Sequence, residues 1–182
     1  MSNEEKKQIN VRDWITLSTV MIGAILTILA LIWQLPPSTG GIGSVTFLLL
    51  LSFILFVNSV SANSKANYEA NLGKADEKRV TRFVSFAEYT FGLAFTLVIF
   101  AFAILGYKYL LIPTNIGRSI VTLMLPITFL VTAWVMIFIY NTINYSGVLS
   151  ALKSLKRNIW ILLEFICLLI ILGDFFEIFS IP

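Results

Sequence analysis

The chain has 182 residues, 58% of them hydrophobic and only 13% charged, with 15 phenylalanines and a formal net charge of +3. Its mean hydropathy is +0.88, whereas a soluble domain carries about 45–50% apolar and about 25% charged residues. That composition excludes a soluble domain, a nucleic-acid-binding protein and a secreted disulfide scaffold, and makes lipid the expected solvent.

Five apolar runs follow one another along the chain. The first spans about 14–35 and is closed by Pro36-Pro37 and the turn Ser38-Thr39-Gly40-Gly41. The others span about 44–61, 83–105, 119–140 and 159–178. Each is roughly 20 residues long, the length that crosses a bilayer as a helix. Helices are required because lipid leaves a strand's backbone groups unpaired unless a barrel closes, and the alternating pattern of a membrane barrel is absent. The expected fold is therefore an all-α integral membrane protein, a single domain over 1–182 built as a bundle of five transmembrane helices. Although Lys6 and Lys7 precede the first run, it is too long for a signal-peptide core and no Ala-x-Ala site follows. It reads as an uncleaved anchor.

Basic residues set the expected orientation. Segments 1–13, 62–82 and 141–158 hold eleven Lys and Arg, while the opposite side holds only Lys108 and Arg118. The positive-inside rule then places the N-terminus in the cytoplasm and the C-terminus outside, as a multi-pass protein of the cell membrane. Six acids accompany those eleven basic residues, so the cytoplasmic face attracts anionic lipid headgroups. Trp14 and Trp160 fall at the expected inner boundary, and Trp33, Tyr107 and Tyr109 at the outer one, where amphipathic rings prefer to lie. Segment 62–82 predicts helical extensions of the second and third spans, broken near Gly73. Pro126 predicts a kink in the fourth.

Several chemistries are excluded. There are no histidines and a single cysteine, Cys167, so neither an intrachain disulfide nor the usual imidazole metal site can form. The nitrogen base of most hydrolytic triads is missing too. The chain is not expected to be an enzyme, and no cofactor, metal or nucleic-acid partner is expected.

Ile54-Leu-Phe-Val-Asn58-Ser59-Val60-Ser61 aligns without gaps on Ile137-Phe-Ile-Tyr-Asn141-Thr142-Ile143-Asn144. Each stretch is followed by a basic segment and a helix with a glutamate near its start, which a duplicated helix pair would produce. The alternative is that Asn and small hydroxyl residues simply suit the membrane boundary.

The remaining four acids, Glu88, Glu164, Asp174 and Glu177, lie within the runs, without a Lys or Arg expected at their depth. A charged carboxylate costs on the order of 3 kcal/mol at a bilayer centre, less near its edge, so such groups face protein or water or become neutral. In the third run Ser85, Glu88, Gly92, Thr96 and Ala103 share a helical face of small and polar side chains. In the fifth, Glu164, Cys167 and Ile171 stack, with Asp174 turned away. Depth groups Glu88 and Glu164 with Asn58, Ser59, Trp134, Tyr140 and Asn141. Two readings of this layer stand. Glu88, Glu164, Asn58, Asn141 and Thr96 line an ion or proton pathway, or each glutamate is a protonated acid that holds helices in register. Asp174 and Glu177 are expected to be solvated and to form an outer acidic vestibule.

Arg82-x-x-x-Phe86-Ala87-Glu88 resembles the Arg-x-x-x-Phe-Ser-Asp signature of a potassium-channel family found in lysosomes and bacteria. There the motif opens the first of six spans. Here it opens the third of five, with Ala for Ser and Glu for Asp, and no residue role is carried over. Two functions are thus expected: a homo-oligomeric cation or proton channel or transporter, since five short helices enclose little alone, or a non-catalytic accessory or scaffold subunit bound to partner membrane subunits.

Overall fold

The computed structural model describes residues 3–37, 39–71, 77–111, 120–144 and 155–182. Among them are five helices, α1 (Asn3–Gln34), α2 (Ile42–Asn71), α3 (Glu77–Leu110), α4 (Ile120–Asn144) and α5 (Leu155–Phe175), and no strand. Three of these are long and apolar enough to cross a membrane, over Arg12–Gln34, Ile42–Asn71 and Lys78–Leu110, and α4 carries a shorter apolar stretch, Ile120–Met136. At 1.5 Å per residue, α2 and α3 run well beyond a hydrocarbon core of about 30 Å. The expected extensions over 62–82 are helical up to Asn71 and again from Glu77. The expected break at Gly73 lies outside the described residues.

The helices divide between two compact units, 1–31 with 49–95, and 32–48 with 96–182. In the first unit, Ala62 is buried on α2 together with a row of Leu49, Ser52, Phe56, Ser59, Asn63 and Ala66. The row's alternating three- and four-residue steps are the seam of a left-handed helix pair. The matching seam on α3 is Ala87, Thr90 and Ala94, small residues that let backbones approach. The Ser59 hydroxyl donates to the Ala87 carbonyl at 3.0 Å. Phe91 gathers the aromatic contacts, with Trp14 edge-on at 4.8 Å, Phe56 edge-on at 5.3 Å and Phe95 stacked at 6.4 Å. Phe56→Ala is expected to cost about 2 kcal/mol, measured as thermal unfolding in detergent. A soluble core would lose about 3–5, but here lipid already solvates the ring in the unfolded chain and only packing is lost.

In the first unit the expected polar face of α3 is displaced by about one residue: Ser85 and Glu88 are exposed, and Ala87 and Thr90 take the buried positions, whereas Thr96 and Ala103 of the expected face are buried in the second unit. An unpaired carboxylate cannot enter a seam that alanine fills. Beyond the α2 seam, Glu69 accepts from Lys65 at 3.0 Å and lies 3.6 Å from Arg79, which clips the end of α2 to the start of α3.

In the second unit α3 is the central element, with every residue from Thr96 to Ala101 buried. Against it Gly106 lies so close to Leu125 that a Cβ would approach Leu125 Cδ2 to 2.5 Å. The buried face of α4 is Leu123, Pro126 and Leu130, and that of α5 is Glu164, Cys167, Ile171 and Asp174. Both repeat at three- and four-residue steps, and α4 packs on α5. Pro126 lies inside α4 and withholds the hydrogen bond its nitrogen would otherwise give to the Thr122 carbonyl. Of the repeat proposed from sequence, Asn141 lies in the last turn of α4, but its side chain, like that of Tyr140, is outside the described residues.

α5 ends three residues before the expected boundary at Ile178. The Ile178 N–H donates to the Gly173 carbonyl at 2.9 Å and the Glu177 N–H to the Asp174 carbonyl at 3.2 Å. These two bonds define a Schellman ending with Glu177 at the left-handed position, at φ 60°. Glycine is the favoured residue there because a Cβ crowds the following carbonyl. Glu177→Gly is expected to stabilise by about 0.5–1 kcal/mol, seen as a higher unfolding midpoint. The ending turns residues 176–182 back along the second unit.

Candidate functional site

Two buried polar groupings occur in the second unit. The first surrounds Asp174, which is 3% exposed. One carboxylate oxygen accepts from Lys108 Nζ at 2.9 Å and from the Ile181 N–H at 2.8 Å, and the other accepts from the Tyr107 hydroxyl at 2.8 Å. Lys108 is 2% exposed. Its carbonyl accepts from the Thr39 hydroxyl at 2.9 Å, and its stem lies under Gly41, where a Cβ would come within 2.8 Å of Lys108 Cγ. Gly41 itself has φ 84°, and its carbonyl accepts the first helical bond of α2, from the Val45 N–H at 3.0 Å. The Ser44 N–H, left without a partner inside the helix's first turn, donates to the Pro182 carbonyl at 2.9 Å. Trp33 donates to the Thr46 hydroxyl at 3.2 Å, and the Tyr109 hydroxyl donates to the Leu35 carbonyl. Lysine and aspartate thus tie together the α1–α2 turn, the end of α3, the end of α5 and the returning tail.

This grouping corrects three expectations. Asp174 is not solvated, and it has a basic partner. The reason is that α3 continues to Leu110, so Lys108 lies in a helix rather than in an outer loop. Tyr107, expected at the membrane boundary, is fully buried on Asp174, whereas Trp33 and Tyr109 are exposed as expected. A carboxylate closed by a lysine, a tyrosine and a backbone N–H has no free oxygen to face a vestibule. Glu177 is exposed, at the turn already described.

The second grouping is Glu164 with its surroundings. Glu164 is 0% exposed, and neither carboxylate oxygen has a hydrogen-bond partner. Cys167 is the next residue on the same face of α5, and its thiol donates to the Phe100 carbonyl at 3.9 Å. From α4, Trp134 packs on Phe165 with ring centroids 6.4 Å apart, and its buried Nε1–H is likewise without a partner. Polar groups buried in low dielectric are nearly always satisfied. The Glu164 carboxyl and the Trp134 indole N–H are therefore the exceptions among the described residues of this unit.

Thr96 is buried in the second unit. Asn58 and Glu88 belong to the first unit, and both are exposed. Asn141 falls on a side chain outside the described residues. Among the described residues, no three His, Cys, Asp or Glu side chains come together as a metal would require. Tyr107 and Lys108 are the polar groups of the Asp174 grouping that sequence reasoning did not assign to a site. A single lysine and a single aspartate at similar distances from the same membrane face were the available signal.

No family model matches this chain, and no curated protein or solved structure matches it. The described residues define an all-helical protein with three helices able to cross a membrane. Its buried chemistry consists of one closed ion pair and one open carboxyl group.

Proposed function

We propose that this chain is a five-span protein of the cell membrane that works as a homo-oligomeric cation or proton channel or transporter, with Glu164 on the ion's route. The observation that carries this reading is the Glu164 carboxyl, wholly buried with both oxygens unpartnered. Intramembrane acids are costly, and those kept without a partner mark ion and proton pathways. Three helices long enough to span, with α4 and α5 as the remaining two spans, support the five-span topology. The eleven-to-two division of basic residues supports a cytoplasmic N-terminus.

Assembly is supported by Glu88. It stands on an exposed face of α3 with Ser85, Phe86 and Tyr89, about 16 Å from the helix start. A carboxylate facing outward from an apolar helix calls for a protein or water neighbour. A second copy supplies one in a homo-oligomer. The same face favours a second reading, an accessory subunit whose partner covers Glu88.

Purified protein in liposomes is expected to pass K⁺, Na⁺ or H⁺ and to lose at least tenfold of that flux in Glu164→Gln. Absence of flux for all three ions would sink the reading. Native mass measurement in nanodiscs separates the two assemblies, since a stoichiometric foreign partner favours the accessory subunit.

A further inference from the structure

Resting on the channel or transporter reading, we propose that the ion taken at Glu164 is a proton rather than a metal cation. A hard cation gives up its hydration shell only to a cage of several oxygens, about six to eight for Ca²⁺ and six for Mg²⁺. Glu164 supplies two oxygens, and no donor reaches either of them. The neighbouring side chains on its buried face are a thiol and an isoleucine, Cys167 and Ile171. The Cys167 thiol is turned to the Phe100 carbonyl, so it adds no ligand. A proton needs no cage, because one carboxyl oxygen holds it covalently.

The charged and titratable groups around the site agree with this assignment. On α5, Cys167 is one turn away. Asp174 is about 15 Å along the helix and is closed by Lys108, and Glu177 lies beyond it. Lys156 and Arg157 precede Glu164 by about two turns. On α4 there is no charged residue from Ile120 to Asn144, and Tyr140 is its one tyrosine. On the α3 segment of this unit the groups are Tyr107, Lys108 and Tyr109, all at the end where Asp174 lies. Among the described side chains no fixed positive charge is spent on Glu164, so the neutral acid is the form this packing accommodates. No covalent bond changes other than O–H, and the proton passes to water.

The test uses the full chain in liposomes under a valinomycin-set potential, with an internal pH dye, and with Na⁺ and K⁺ flux measured in parallel. Proton flux is expected without comparable Na⁺ or K⁺ selectivity. It should fall at least tenfold in Glu164→Gln. Infrared difference spectra should show a protonated-carboxyl band that disappears as pH rises and is absent in Glu164→Gln. The wild-type titration alone serves if the glutamine variant does not fold. Flux of Na⁺ or K⁺ in place of H⁺, or no titrating carboxyl band, overturns this inference and leaves the channel reading intact. No flux of any ion overturns the channel reading itself.

Discussion

Lys108→Ala is expected to destabilise the protein by about 3–5 kcal/mol, the cost of leaving one member of a buried ion pair uncompensated. Asp174 would keep the bonds from Tyr107 and the Ile181 N–H, but its charge would be unopposed at 3% exposure. Asp174→Ala should cost at least as much, because it strands the lysine, the Tyr107 hydroxyl and the tail's N–H together. The double variant Lys108→Ala with Asp174→Ala should lose much less than the sum, since neither charge is then left unopposed. Thermal unfolding of all four proteins in one detergent closes the cycle. Additive losses would show that the two side chains do not depend on each other. Limited proteolysis provides an independent readout, with cleavage after residue 175 appearing in Asp174→Ala before global unfolding.

Gly41→Ala is expected to cost about 2–3 kcal/mol, from two sources. A left-handed backbone costs a residue with a Cβ roughly 1–2 kcal/mol, and Gly41 has φ 84°. The new methyl would also press within 2.8 Å of Lys108 Cγ, and that side chain is anchored at 2.9 Å to Asp174. It cannot swing away without breaking the pair. Gly173→Ala makes a closer contact, 2.4 Å to Phe179 Cε1, but Phe179 is half exposed and its ring is free to turn. Gly41→Ala should therefore lower the unfolding midpoint more than Gly173→Ala. In a Lys108→Ala background its penalty should shrink to the backbone strain alone. The same penalty in both backgrounds would rule out the packing contribution.

The helices themselves were largely legible. Runs of apolar residues ended by Pro36-Pro37 or by charged segments can only be helices in lipid, and α1 to α5 each cover most of one of the five expected runs. Their ends were less legible. A run's apolar limit marks where lipid stops, whereas a helix continues as long as its backbone bonds do, which is why α2 reaches Asn71 and α3 reaches Leu110. That difference hid Lys108. Assigned to a loop, it counted only as a topological charge; within α3 it is a buried cation. The face of Glu88 was likewise misjudged. Ser85, Glu88 and Gly92 form a stripe by spacing, but Ala87, Thr90 and Ala94 form another one residue away, and sequence spacing does not say which meets a neighbour.

The amino-acid sequence by itself determined the solvent, the secondary structure class and the exclusion of imidazole and disulfide chemistry, because these follow from composition and from backbone hydrogen bonding in lipid. It also isolated four acids among apolar residues. Only the tertiary structure decided what those acids meet. Asp174 found a lysine and a tyrosine from α3, 66 and 67 residues earlier in the chain, while Glu164, ten residues earlier on α5, found none. Whether a buried carboxyl is closed or open depends on which helix faces it, and that is set by side-chain packing between elements distant in the chain. This separates a carboxylate that holds the fold together from one whose two oxygens have no hydrogen-bond partner.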